Sequence, residues 1–584
     1  MSADPLVTQS AAFVPARGGQ RLRLVSDPVG AARGTVVLVH AFAEEMNKSR
    51  RMAARMARML AADGWRVVQR DLQGCGDSTG EFVEATWDGW VEDVREEIAQ
   101  ALPGRPVWLW GIRCGALLCA QALGSHRHVN LLLWQPVLSG AQHLQQFLRL
   151  HAGARIVGSA KAQDARSPAQ ALREGEPVEV GGYELHPALA SGLERSLFEL
   201  PEGFQGRTVL FELSSDEAGE LSPRLSQLAD RLHERGLDVQ ATCLRGPAFW
   251  QTQEIEECEA LLEASRAALR GEASAPASQA VPEAAAQGLA SGEEVLRISC
   301  EGTQLLGIVS RPALPAQASS IAVLIVVGGP QYRVGSHRQF VLLARALARG
   351  GHTALRFDCR GMGDSEGAMR SFEDIGPDLR AALDALCREA ATERVVVWGL
   401  CDAASAALMF ASDDPRVVGI VAANPWARSD ATLAAVRVRH YYASRLVQRE
   451  FWAKLLRGGL NWRDSMASLA GTVRQARAAR AGAESFHARM ARGLARLRAP
   501  VLLILSGRDL TASEFLHHAQ SDELWRRLLA DPKITRHELP EADHTFSQRK
   551  WLDEANAATM AWLDRLAGSE PASTQHSTRQ KERA

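Results

Sequence analysis

Three short segments of this 584-residue chain occur twice at one spacing, and that repeat limits the fold more than any other feature. TVVLVHAF at 35–42 is answered by VLIVVGGP at 323–330, and DLQGCGDS from Asp71 by DCRGMGDS from Asp358. VWLWGIRCGA, which holds Gly111, is answered by VVVWGLCDAA, which holds Gly399. The offsets are 328 − 40 = 288, 358 − 71 = 287 and 399 − 111 = 288. Motifs that keep one offset over such distances imply a duplicated domain.

Each half alternates apolar, β-branched runs with stretches of helical period. In the second half, strands are predicted near 321–327, 353–357, 394–398, 501–505 and 535–539, with helices such as RQFVLLARALARG at 338–350 between them. Continuous apolar strands alternating with amphipathic helices predict a doubly wound, mostly parallel sheet in each half, an α/β class. Extra segments near 140–205 and 427–497 read as helical lids over the carboxyl edge of each sheet, where ligands bind in such folds. Residues 272–293, EASAPASQAVPEAAAQGLASGE, read as a linker, and GSEPASTQHSTRQKERA reads as a disordered tail. The expected layout is a domain over 1–271, a linker over 272–293, a second domain over 294–567 and a tail over 568–584.

In the second half the strand VVVW (395–398) runs into Gly399-Leu400-Cys401-Asp402-Ala403 and then a run of small residues. A tight strand-to-helix turn requires small residues two places either side of the one at its apex, and Gly399 and Ala403 meet that need. This is the nucleophile elbow of the α/β-hydrolase fold, so two such domains in tandem are expected. Cys401 would be the nucleophile, at a helix N-terminus whose dipole favours a thiolate. The acid and the histidine should follow in that order. Strand VLLIL (501–505) ends in Ser506-Gly507-Arg508-Asp509, and strand TRHEL (535–539) leads to His544, giving a Cys401–Asp509–His544 triad. Asp543 is an alternative acid, disfavoured because its side chain should diverge from that of its neighbour. Two backbone N–H donors are needed for an oxyanion hole. Asp402 supplies one. Because Pro330 has no N–H, Gly329 or Gln331 must supply the other.

The first half lacks this set. Its elbow reads Gly111-Ile112-Arg113-Cys114-Gly115, with Arg113 in the nucleophile position, and aligning Phe249 with Phe546 puts Pro247 where His544 stands. A guanidinium is no nucleophile at neutral pH. The charged segment from His40 through Glu44 and Glu45 to Arg50 faces the elbow in such a fold, so Arg113 is expected to pair with Glu44 or Glu45. The plain reading is an ion pair filling a dead site, the sharper one is a pocket for a polar or anionic ligand or a partner surface, and an unrecognised catalytic function is the remainder.

Composition excludes several classes. Net charge is −1 and the pI about 7.0, which gives no overall electrostatic footprint for nucleic acid. The nine cysteines form no CxxC pair and no metal-ligand spacing with histidine, so neither a metal nor a cofactor is implied, and free thiols in a reducing compartment are expected. No apolar signal segment opens the chain and no apolar run approaches the ~18 residues of a membrane span, from which a soluble, cytoplasmic protein is expected. The lid stretch RHYYASRLVQREFWAKLLRGG (439–459) is apolar at helical spacing with arginines among those positions. It reads either as a cap helix with a solvated basic face or, less favoured, as a weak contact to an anionic substrate, a membrane surface or a protein.

Longer segments carry a resemblance to a known pair of families. HAFAEEMNKSRR, GIRCGA and GPAFWQTQEIEE resemble hydrolase 2 of the exosortase A system, and VVGGPQYRVGSHRQF, GLCDAASAAL and RHYYASRLVQREFWAKLL resemble its hydrolase 1. The resemblance covers nearly everything but the linker and tail. It implies an association with bacterial exopolysaccharide production, a cysteine at the second elbow, which Cys401 matches, and an arginine at the first, which Arg113 matches. The family usually has Asp-Gly after that cysteine, so Ala403 departs from it. The expected function is a thiol hydrolase or acyltransferase on a small-molecule or saccharide ester or thioester, with a triad-less first domain. The alternative is a non-catalytic scaffold or ligand-binding protein of the polysaccharide machinery.

Overall fold

The computed structural model describes residues 7–157, 167–215, 219–252, 254–270, 292–314, 318–329, 331–427 and 485–568, with side chains from 151 to 157 left aside. Two eight-stranded sheets carry the described chain. The first contains β1 (Val7–Ala16), β2 (Gly19–Pro28), β3 (Thr35–Val39), β4 (Arg66–Arg70), β5 (Val107–Ile112) and β6 (Asn130–Trp134). After a small hairpin of β7 (Val178–Val180) and β8 (Tyr183–Leu185), β9 (Thr208–Ser214) and β10 (Val239–Arg245) complete it. Its order is β1-β2-β4-β3-β5-β6-β9-β10, antiparallel at β1/β2 and β2/β4 and parallel from β4 onward.

The second sheet repeats this plan. Its strands are β11 (Glu293–Cys300), β12 (Thr303–Ser310), β13 (Ala322–Val326), β14 (Ala354–Phe357), β15 (Val395–Leu400), β16 (Val417–Ala423), β17 (Val501–Ser506) and β18 (Ile534–Leu539). Their order is β11-β12-β14-β13-β15-β16-β17-β18, the first order shifted by the duplication. The five strands predicted in this half are present. The opening hairpin β11/β12 and strand β16 add to them, and the predicted 338–350 helix spans Gln339–Arg349.

The apolar runs have a direct cause. Strands β3 and β13 are buried at every position, because helices cover both faces of a doubly wound sheet. Alternation then sorts side chains between two cores. Val37, Val39, Leu109 and Leu131 join one buried cluster, while Val36, Leu38, Trp108, Trp110 and Trp134 join the other. The Trp134 indole satisfies its N–H on Ser265 Oγ at 2.9 Å.

The first lid comprises helices Gly140–Val157, Pro168–Arg173 and Pro187–Arg195 with the β7/β8 hairpin. Of the second, residues 428–484 lie outside the described residues, including the basic 439–459 stretch, and helix Phe486–Arg496 follows them. Of the expected linker at 272–293, residues 272–291 lie outside the described residues and Glu293 already belongs to β11; of the expected tail, 569–584 lie outside them. By contacts, the chain divides into two compact units. One comprises Met1–Ser319, Pro330–Met369 and Ser547–Leu552, and the other Ser320–Gly329, Arg370–Phe546 and Asp553–Ala584. No disulfide joins any of the nine cysteines. Among the described residues, no helix is long and apolar enough to cross a membrane.

The elbows show how tightly backbone packs here. A Cβ on Gly115 would run into the carbonyl oxygens of Val39 and His40, whereas the equivalent Ala403 is accommodated with no exposure. Gly115→Ala is expected to destabilise the protein by about 1–3 kcal/mol, the range for overpacking. Ala403→Gly should cost about 1 kcal/mol or less, the helix penalty of glycine. Denaturant midpoints of the two variants measure both.

Candidate active site

Cys401 lies between the end of β15 and the helix Asp402–Phe410, with φ 62° and ψ −126°. A non-glycine residue with positive φ costs of order 1–3 kcal/mol and persists only when its surroundings over-determine it. Three hydrogen bonds do so here. Cys401 N donates to Ala423 O at 2.9 Å, and Cys401 O accepts from Ser405 N at 3.2 Å and Trp426 N at 3.1 Å. A Cβ at Gly399 would lie 2.7 Å from backbone atoms of Ala403 and Ala404, so the turn requires glycine there.

His544 Nδ1 lies 2.8 Å from Asp509 Oδ2, with the carboxylate buried and the ring one-third exposed. Asp509 also caps the helix Leu510–Ser521, accepting from Thr511 N at 2.9 Å and Ala512 N at 3.1 Å. The two backbone N–H groups hold the carboxylate in place as an acceptor facing the Nδ1 edge of the ring, which leaves Nε2 on the opposite edge. The sequence expectation of this acid–histidine pairing corresponds to the geometry.

Asn424, at the end of β16, is a site residue that the sequence reading missed. It is fully buried with φ 43°, and its Nδ2 donates to Ser506 Oγ and to the carbonyl of His544, both at 3.0 Å, while Oδ1 accepts from Ser506 N at 2.8 Å. It ties the histidine loop to β17. Its counterpart in the first half is Gln135, with φ 44°, whose Oε1 accepts from Leu213 N at 2.7 Å.

The oxyanion loop differs from expectation at Gly329. Its N–H donates to Asp402 Oδ2 at 2.8 Å, and Asp402 Oδ1 accepts from Ala403 N at 2.9 Å. The short acidic side chain after Cys401 thus reaches across to the loop and takes the donor assigned to an oxyanion. Gln331 makes a side-chain bond to Ser336 Oγ at 3.0 Å.

The first elbow keeps the backbone and carries an arginine at its apex. Arg113 has φ 54°, donates through N to Trp134 O at 2.9 Å, and through its carbonyl holds Ala116 N and Val137 N, both at 3.1 Å. Its guanidinium donates from Nε and Nη2 to Glu45 Oε1 at 3.2 and 3.0 Å and lies 5.1 Å from the Trp250 ring centroid. Of the two acids offered, Glu45 is therefore the partner. Glu44 turns instead to Tyr183 OH at 3.0 Å and Ser336 Oγ at 3.1 Å, and burial raises its carboxyl above the usual range.

His40 does not belong to this cluster. It is buried, with Nδ1 on Ala41 O at 2.8 Å and Nε2 accepting from Leu72 N at 3.3 Å, and burial lowers its pKa. His143, from the lid helix, stands in its place, with Nε2 3.9 Å from Glu45 Oε2 and a pKa lowered by burial. Cys114, one residue past the apex, is buried, which pushes its thiol well up. Among the described residues, no group of acids, histidines and cysteines is arranged to hold a metal ion.

Arg113→Ala strands Glu45 in a half-buried position and should lower stability. The double variant Arg113→Ala/Glu45→Ala should recover part of the loss, with a coupling of about 0.5–3 kcal/mol. Additive single effects in the thermodynamic cycle would contradict the pairing.

Comparison with known proteins agrees with this architecture. Residues 30–176 match the family described as serine aminopeptidase, S33, and residues 323–558 match the alpha/beta hydrolase family. Among solved structures, an esterase from Pyrococcus furiosus is 18% identical over 47% of this chain and 90% of that one, with a TM-score of 0.33. An α/β serine hydrolase without a lid from Xanthomonas campestris is 15% identical over 48% and 98%, with a TM-score of 0.31. A proline iminopeptidase from Mycobacterium smegmatis is 18% identical over 47% and 98%, also at 0.31. No curated protein matches the chain. With two sheets of one strand order, an elbow on each and a hydrolase-family match on each half, the chain is a tandem of two α/β-hydrolase-fold domains.

Proposed function

We propose that the second half is a hydrolase or acyltransferase acting on an ester or thioester through Cys401, and that the first half is a hydrolase fold without chemistry. The observation that carries this reading is the Asp509–His544 pair at 2.8 Å. It follows β17 and β18 of the same sheet whose β15 ends in the strained Cys401 elbow.

In this reading His544 Nε2 takes the Cys401 proton as sulfur attacks the acyl carbon. The imidazolium, held by Asp509, then returns that proton to the departing alcohol or thiol. The resulting acyl thioester is resolved when water, or an acceptor hydroxyl in a transfer, gives its proton to the same nitrogen and attacks the carbonyl. Asp402 N–H is one oxyanion donor. For Gly329 to be the second, the Asp402 carboxylate must first leave its N–H. The resemblance of both halves to the exosortase A system hydrolases supports a substrate from exopolysaccharide metabolism. The occupied Gly329 N–H is the one feature that favours the non-catalytic alternative.

The test is covalent labelling of the full chain with an acyl-type thiol probe, the adduct being located by peptide mapping. Cys401→Ala should abolish labelling, and Cys114→Ala should leave it unchanged. His544→Ala should slow acylation at least ~10²-fold, the lower range for a general base. Asp509→Asn should impair it and Asp543→Asn do little. Labelling that survives Cys401→Ala would overturn the mechanism.

A further inference from the structure

Arg50 and Arg338 occupy equivalent positions of the duplication, 338 − 50 = 288. Each enters the glycine-rich turn of the other copy. Arg50 Nε and Nη2 hold Asp364, of the GMGDS turn, each at 2.8 Å, and its Nη1 reaches Asp71 at 2.6 Å. Arg338 donates to the carbonyls of Gly76, Ser78 and Gly80, in and just after the GCGDS turn, at 2.9, 2.6 and 2.8 Å. Arg333 links both turns, with Nη1 2.6 Å from Asp358 and 2.7 Å from Asp364 and Nη2 2.7 Å from Asp77. Arg356 pairs with Asp77 and, at 2.8 Å, with Glu293.

All these side chains are buried, and all of these residues lie within the first compact unit. Apolar packing follows the same plan. Tyr332, Val334 and Val341 belong to the core cluster of the first sheet, and Leu306 and Ile308 cluster with Phe13, Leu22 and Leu24. Charges this deeply buried are tolerated only when paired. Burial alone would raise Asp364, but Arg50 and Arg333 outweigh it and hold the carboxyl below its usual range.

We propose that segments 332–338 and 358–365 form a docking surface whose partner is the first copy of the duplication, held by Arg50 and Arg338 as a reciprocal clamp, so that the chain does not come apart at its linker. The occupant is fixed by complementarity. The turn of one copy presents carboxylates to Arg50, the turn of the other presents carbonyls to Arg338, and apolar side chains of both copies share one core.

The test uses the full chain with a protease recognition sequence inserted within 272–291, cut after purification and examined by size-exclusion chromatography. The two fragments are expected to elute together as a one-to-one complex, and to stay together at about 1 M salt, because buried pairs are little screened. Separation of the parent's two fragments on simple cleavage in native buffer would overturn the proposal. In Arg338→Ala the cut fragments should separate on dilution. In Arg338→Lys, whose ammonium lacks the planar fork that serves three carbonyls, retention should weaken roughly tenfold or more, the effect of one lost charge-assisted bond. Retention equal to the parent in the lysine variant, which keeps the charge and most of the volume, would show that Arg338 clamps nothing.

Discussion

Both halves depend on one strained residue at the end of a parallel strand. Cys401 at φ 62° and Arg113 at φ 54° adopt the same left-handed turn, although one carries a thiol and the other a guanidinium. The same bonds impose it in each half. The apex amide goes to the strand beside it, to Ala423 O or Trp134 O, and the apex carbonyl is held by the residue that follows that strand, Trp426 or Val137. The sheet thus forces the conformation whatever the side chain, which is why the turn survives where the nucleophile does not. The strain is a property of the fold, and in the proposed reading chemistry is added to it only where an acid and a histidine close in from β17 and β18.

The elbow, its glycine and the order of acid and histidine were legible because each is a local pattern next to an apolar strand. What was not legible depended on direction. Glu44 and Glu45 are the first residues of the helix Glu44–Ala62, not loop residues. Successive helical side chains point about 100° apart, so one acid meets Arg113 and the other Ser336, and no spacing rule could choose between them. His40 ends a buried strand, and its ring is spent on Leu72 N and Ala41 O. Asn424 and Gln135 were missed for lack of a motif, yet a signal existed. Each is a single amide following an apolar strand, at 424 − 135 = 289, close to the repeat offset.

The aspartates of DLQGCGDS and DCRGMGDS had been informative only as markers of duplication. In the folded chain they are acceptors. Asp71, Asp77, Asp358 and Asp364 take the guanidinium groups of Arg50, Arg333 and Arg356, and the glycines let the turn fold back close to the first aspartate. A β-carbon at Gly76 or Gly363 would collide with the carboxylate of Asp71 or Asp358. The motif is therefore a device for presenting carboxylates and carbonyls in a fixed array, independent of any reaction at the elbow.

This separates two demands on the first half. In the proposed reading, with Arg113 at its elbow and Pro247 aligned with the base, chemistry places no requirement on it. Its arginine is another matter. Arg50 and Asp364 are 3% and 0% exposed, and removing one member of a buried pair typically costs about 3–5 kcal/mol. Against a total stability of roughly 5–15 kcal/mol for a domain, that is a large fraction. Without the first half, Asp364 would lose Arg50 and keep only Arg333, and Arg333 and Arg356 would lose Asp77, so the second half would be left with buried charges only partly compensated. On the proposed reading, a physical reason to keep the first fold then lies in Arg50 and its glycine-rich turn, some distance in sequence from the elbow.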